Sequence, residues 1–164
     1  MLNVYNLFSV PVIHGKLPLD IYLHKKILKY VDKNFEIKER FQSCVNGFQT
    51  HENFDGKEEL NNTLDIFFKN NFNFKIIDSG WLNVLENKSY NLPHNHLDKA
   101  IAKAGVFYLT NNNNNITFTR GSEIFEIRPK IFEYLIFPHD LIHYVLAEDR
   151  LEKRISYSFN LKDV

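Results

Sequence analysis

Ala104-Gly105-Val106-Phe107-Tyr108-Leu109-Thr110 is a short β-rich run, and beyond the five asparagines Asn111–Asn115 another follows at Ile116-Thr117-Phe118-Thr119. Working outward, the pattern recurs every ~8–12 residues. Upstream lie Lys75–Glu86 and Asn91–His96; downstream lie Glu123–Arg128, Glu133–Phe137, Ile142–Ala147 and Arg154–Leu161. Turn residues separate the runs at Asn87-Lys88-Ser89, Arg120-Gly121-Ser122, Arg128-Pro129-Lys130, Pro138-His139-Asp140 and Glu148-Asp149-Arg150. A parallel βαβ sheet would need helices between these strands, and none is visible. About eight short strands in series predict a mainly β fold, an antiparallel double-sheet jelly roll.

The front of the chain reads differently. Ile21, Leu23, Ile27, Leu28 and Val31 mark an apolar face at helical spacing within Asp20–Asp32. Leu60, Leu64, Phe67 and Phe68 mark a second helix near Lys57–Asn70. The expectation is one domain, with N-terminal helices packed on one sheet. Residues 1–73 would form helices and strands that support the sheet, and 74–164 the jelly-roll catalytic core. Lys plus Arg (20) equals Asp plus Glu (20), so the chain has no broad electrostatic footprint for nucleic acid or an acidic membrane surface. A hydrophobic fraction of 44% excludes a disordered tail. The single cysteine, Cys44, excludes an internal disulfide and a cysteine-based zinc module, and points to a reducing, cytoplasmic compartment. No signal peptide and no apolar stretch of membrane-spanning length is visible.

Of the seven histidines, His14, His24 and His51 stand alone and read as surface or satisfied core residues. His94-Asn95-His96 ends a predicted strand, where period two puts both rings on one face. Asp98 makes His96-Leu97-Asp98 an overlapping pair, so His94/His96 and His96/Asp98 both remain open. His143 lies among apolar neighbours, while Pro138 places His139 in a turn. If Ile142–Ala147 and Arg154–Leu161 form a hairpin centred near Glu148-Asp149, residue 143 lies opposite residue 154. Arg154, Ser156 and Ser158 would then share the face of His143. A buried arginine without an anion is costly. Such a face suits an α-keto acid: its keto and first carboxylate groups meet a metal, and its distal carboxylate meets Arg154 and Ser156.

Six segments carry a resemblance: Ser43–Thr50, Gly80-Trp81-Leu82-Asn83-Val84, Tyr90–His96, Gly105-Val106-Phe107-Tyr108-Leu109, Phe137–His143 and Arg154–Asn160. Together they resemble the 2-oxoglutarate/iron(II) oxygenases of phages and marine bacteria, which are related to prolyl 4-hydroxylases. The resemblance implies a double-stranded β-helix fold and a cytoplasmic setting, in a bacterial cell or a phage-infected host. It implies that His94 and His143 are iron ligands, and that Arg154 with Ser156 and Tyr108 binds the distal carboxylate of 2-oxoglutarate. Asn83, in the W-x-N strand, joins that cosubstrate set. In the broad superfamily the second ligand is usually an acid, and here His96 occupies its place, which keeps the alternative with Asp98 open.

The implied activity is that of an Fe(II)/2-oxoglutarate-dependent dioxygenase, which uses O2 to hydroxylate a substrate C–H bond. By resemblance the substrate is a prolyl residue in a protein or peptide, with a small molecule as the other option. Two other classes compete: a non-catalytic jelly-roll binding module, and a cupin-type three-histidine dioxygenase that works without 2-oxoglutarate. Arg154 and Ser156 discriminate against the second, because a cupin has no need of them in that position; the binding module keeps the fold and loses the cosubstrate site. Nucleic acid is disfavoured, since the chain is neutral and the pattern after Arg154 ends in Asn160 rather than a second arginine.

Overall fold

The computed structural model describes residues 2–7, 10–50, 53–77, 80–98, 101–111 and 114–164. His51 lies outside the described residues. Two helices stand out first, because their ends are well signalled. α1 (Ile21–Asn34) begins where the Asp20 side chain accepts hydrogen bonds from the Tyr22 and Leu23 amides. α2 (Lys57–Phe72) begins after Gly56 at φ 93° and carries Glu58 and Glu59 in its first turn, where acids suit the helix dipole. It ends at Asn73, which is left-handed at φ 58°. No helix among the described residues is long and apolar enough to cross a membrane.

The strands are β1 (Asn3–Leu7), β2 (Val10–Lys16), β3 (Lys38–Phe41), β4 (Cys44–Thr50), β5 (Phe74–Ile76), β6 (Trp81–Leu85), β7 (Tyr90–His94), β8 (Lys103–Tyr108), β9 (Ile116–Arg120), β10 (Glu123–Ile127), β11 (Glu133–Pro138), β12 (Ile142–Val145) and β13 (Arg154–Asp163). They form one curled antiparallel sheet of jelly-roll type, in the order β1-β2-β11-β8-β13-β6-β4-β7-β12-β9-β10, with β3 paired to β4 and β5 to β13 off this path. β4 makes the fold-over. Its first residues pair with β7 (Cys44↔Asn91) and its last with β6 (Thr50↔Leu82). One layer therefore runs from β1 to β6 and the other from β7 to β10.

Two expectations need correction. Lys75–Glu86 is not one strand but two, β5 and β6, broken before Gly80, where an added Cβ would collide with the Ser158 carbonyl and the Tyr157 ring. The hairpin between Ile142–Ala147 and Arg154–Leu161 does not exist. β12 pairs with β7 and β9, whereas β13 lies between β8 and β6 in the other layer. Arg154 stands opposite Leu85, not His143.

The central strands are buried on both faces. Ile155, Tyr157, Phe159 and Leu161 of β13 share a core with Leu23, Ile27 and Val31 of α1 and Leu60, Leu64 and Phe68 of α2. Phe68 stacks on Phe159 at 5.3 Å and meets Tyr134 edge-on at 5.3 Å. Full burial of such side chains contributes roughly 1.5–3 kcal/mol each. A second core, between the layers, holds Val106, Tyr108, Ile116, Phe118, Leu135 and Phe137. It fills one end of the curled sheet; at the other end, Asn83, Arg154, Ser156 and Ser158 face a cavity.

Candidate metal centre and anion pocket

His94 and His143 sit directly opposite each other on β7 and β12, with ring centroids 4.3 Å apart. His96 lies just past the end of β7. Its amide donates to the His139 carbonyl at 2.7 Å. The rings of His94 and His96 lie with centroids 5.7 Å apart. The three histidines bring one ligating nitrogen each within 4.8 Å of the others.

Each ring is locked through its other nitrogen. His94 Nδ1 donates to the Leu92 carbonyl at 2.8 Å and His143 Nδ1 to the Leu141 carbonyl at 3.0 Å. His96 Nδ1 donates to Asn160 Oδ1 at 2.9 Å. A carbonyl oxygen only accepts, so the proton sits on Nδ1 and the Nε2 lone pair faces inward. Burial pulls the pKa of all three below the ordinary histidine value, and mutual repulsion within the group adds to the effect for His96 and His143. For His96 the value falls to about 4. Three neutral imidazoles with converging lone pairs and no proton between them are the donor set of a divalent metal ion such as iron.

Arg154 lies on the same cavity, from the opposite layer. Its residue is 3% exposed, and its Nε has no hydrogen-bond partner. Nη2 reaches the Tyr108 hydroxyl only at 3.4 Å, and the guanidinium lies over the Tyr108 ring at 5.1 Å. Burial pushes the Tyr108 phenol up to about 12, so it stays protonated. Among the described residues no carboxylate pairs with Arg154. A buried guanidinium with an orphaned donor is costly unless an anion completes it. Ser156 stands level with both Asn83 and Tyr108, and Asn83 Nδ2 donates to Ser158 Oγ at 2.9 Å.

The structure thus brings together His94, His96, His143, Asn83, Arg154 and Ser156 on one cavity, with Tyr108 behind the arginine. It does not bring in Asp98, which is exposed on the rim of an adjoining groove and is no part of the histidine group. His24 is a satisfied core residue, with Nε2 donating to the Leu109 carbonyl at 2.7 Å, and His14 pairs with Glu133 at 2.9 Å. His139 sits in a turn. Sequence reasoning gave no role to Asn160, Gln49 or the cavity face of Trp81. Period two from Arg154 through 156 and 158 leads to Asn160, so that signal was present. Gln49 has no such signal, because β4 was not recognised as a strand.

Fold and site define a jelly roll whose inner face carries a three-histidine group and a buried arginine with no carboxylate partner among the described residues. No protein-family profile matches the sequence, and no curated protein matches it. Solved structures do. The fold is similar to a prolyl-4-hydroxylase from Pseudomonas putida, at TM-score 0.67 and 10% identity, over 97% of this chain and 96% of that one. It is similar to a prolyl hydroxylase from Trichoplax adhaerens, solved with a hypoxia-inducible-factor oxygen-degradation-domain peptide, at TM-score 0.67 and 13% identity, over 93% and 83%. It is also similar to SnoK, a non-heme α-ketoglutarate-dependent carbocyclase from nogalamycin biosynthesis, at TM-score 0.69 and 11% identity, over 93% and 79%.

Proposed function

We propose that the chain is an Fe(II)/2-oxoglutarate-dependent dioxygenase that hydroxylates a substrate C–H bond, with a prolyl residue in a protein or peptide as the substrate. The observation that carries this reading is Arg154, buried on the cavity that holds the three histidines with no acidic side chain among the described residues to pair its guanidinium. His94, His96 and His143 would hold the iron. Arg154, with Tyr108 behind it and Ser156 and Asn83 beside it, would receive the distal carboxylate of 2-oxoglutarate through a forked pair of hydrogen bonds. Bound there, the iron would supply the O2 activation that couples decarboxylation of 2-oxoglutarate to succinate and CO2 with hydroxylation of the substrate. Val106, Ile116 and Phe137 give the cavity an apolar wall beside its polar groups. The prolyl substrate is supported by the fold likeness to prolyl hydroxylases, one of them solved with a peptide.

A three-histidine dioxygenase working without 2-oxoglutarate, or a non-catalytic module, would give Arg154 a different anion to bind, so 2-oxoglutarate binding and turnover separate the readings. The test is succinate formation from 2-oxoglutarate and O2 by the purified chain, with and without Fe(II). Iron-dependent succinate is expected. Its absence, together with no 2-oxoglutarate binding to the metal-loaded protein, would overturn the reading.

A further inference from the structure

We propose that the cavity takes a third negative group beside the two carboxylates of 2-oxoglutarate: a monoanion seated next to His96, supplied by the substrate as a carboxylate or by a small inorganic ion. This rests on the oxygenase reading and deepens it, because charge then limits what can enter. None of the described residues lining the cavity is acidic. Arg154 contributes one positive charge, a divalent ion contributes two, and the three neutral imidazoles contribute none. 2-Oxoglutarate brings two negative charges, and one positive charge is left over. An acid in the place of His96 would cancel it; His96 cannot. Beside Val106, Ile116 and Phe137, an uncompensated charge is poorly solvated.

Neither Glu133 nor Asp98 supplies the balance. Glu133 is bound to His14 at 2.9 Å and accepts from the Lys130 amide at 2.7 Å. Asp98 is exposed on the groove rim, where water and salt screen it. The groove offers the anion a way in. Ser43, Gln49, Trp81, His94 and His96 line both the groove and the cavity, and Asp98 is the only acid among the described residues lining the groove.

The test uses the protein loaded with Co(II) in place of Fe(II) and saturated with 2-oxoglutarate, and reads the visible Co(II) absorption. Azide is the anionic probe, formamide the neutral probe of similar size, and acetate the carboxylate probe. Azide is expected to perturb the spectrum saturably and formamide not at all. His96→Asp should weaken azide by about tenfold or more, the equivalent of ~1.4 kcal/mol. Asp98→Asn should change it by less than about threefold, well under one decade of affinity. Competition of acetate with azide assigns the anion to a substrate carboxylate; azide and chloride binding without acetate assigns it to a small ion. Azide no better than formamide in the parent protein overturns the inference, and this comparison does not depend on any variant folding. Equal azide affinity in a metal-loaded His96→Asp variant overturns it too. A tenfold gain in Asp98→Asn overturns it by making Asp98 the balancing charge. If 2-oxoglutarate itself leaves the Co(II) spectrum and the binding heat unchanged, the oxygenase reading fails and this inference with it. If 2-oxoglutarate binds and azide does not, only this inference fails.

Discussion

Arg154 has an orphaned Nε and a long contact to Tyr108, so its best partner is a ligand rather than a residue. Arg154→Lys keeps the charge and loses the planar fork. A charge-assisted hydrogen bond contributes about 1.5–3 kcal/mol, so 2-oxoglutarate affinity should fall roughly tenfold to a hundredfold. Metal affinity should stay largely intact, because the hydrogen bond and cation–π contact of Arg154 go to Tyr108 and not to the three histidines. Calorimetry with the metal-loaded variants checks both; unchanged 2-oxoglutarate affinity in Arg154→Ala would remove the cosubstrate pocket. Asn160 acts on the other side, holding the His96 ring through Nδ1. Asn160→Ala should weaken metal binding about tenfold to a hundredfold, the usual cost of losing a partner behind a ligand. Asn160→Asp should retain most of the affinity, since a carboxylate still accepts that proton. Equal affinity in the alanine variant would mean that His96 needs no such support.

At the scale of elements, β13 explains both what the sequence showed and what it hid. Its even-numbered residues face the cavity and its odd-numbered ones face the helices, so period two placed Arg154, Ser156 and Ser158 together correctly. Periodicity does not name a strand's neighbours, however, and a strand buried on both faces gives no polar edge to fix them. Arg154 and His143 share a cavity because two layers face each other, not because two strands pair. The stretch after β12 reads as a turn, yet Arg150 pins it to the Glu86, Ser89 and Leu146 carbonyls and to Asn114 Oδ1, so the chain crosses between layers there. Both helices are legible from their apolar spacing; strands are expected within residues 1–73, but the bounds of β1 to β4 are not legible, because their alternation is short and broken by polar residues. Gly105 belongs to this scale. It pairs with Phe159, and an added Cβ would overlap the Phe159 ring, which Phe68 holds from the far side. Gly105→Ala should therefore cost roughly 1–3 kcal/mol as an overpacking change. Adding Phe159→Leu should recover part of that loss in a double-mutant cycle, measured by urea unfolding. Full additivity of the two changes would show that the ring does not limit this position.

The whole molecule encloses three histidines that burial holds neutral, and this sets how the metal-free protein responds to acid. The unfolded chain binds a proton at each histidine below about pH 6.5. In the folded chain the same groups bind protons only at lower pH, His96 at about 4. Between those limits the unfolded state carries more protons, so folding stability rises with pH there and falls as acid is added. Above about pH 6.5 these histidines contribute no slope, because both states are deprotonated. A displacement from 6.5 to about 4 makes His96 alone responsible for a loss of about 3 kcal/mol by the bottom of the window. That is a large share of a domain's net stability, commonly about 5–15 kcal/mol. A divalent ion bound to the Nε2 atoms would compete with those protons and stabilise the folded state by mass action. The expected result is a urea midpoint that falls between pH 7 and pH 4.5 in the metal-free protein, and falls less with saturating Mn(II) over the upper part of that range. His96→Asn should flatten the metal-free profile, because one titrating group has gone. A midpoint as flat in the parent as in His96→Asn would mean that His96 reaches water freely, and the enclosed three-histidine centre would be wrong.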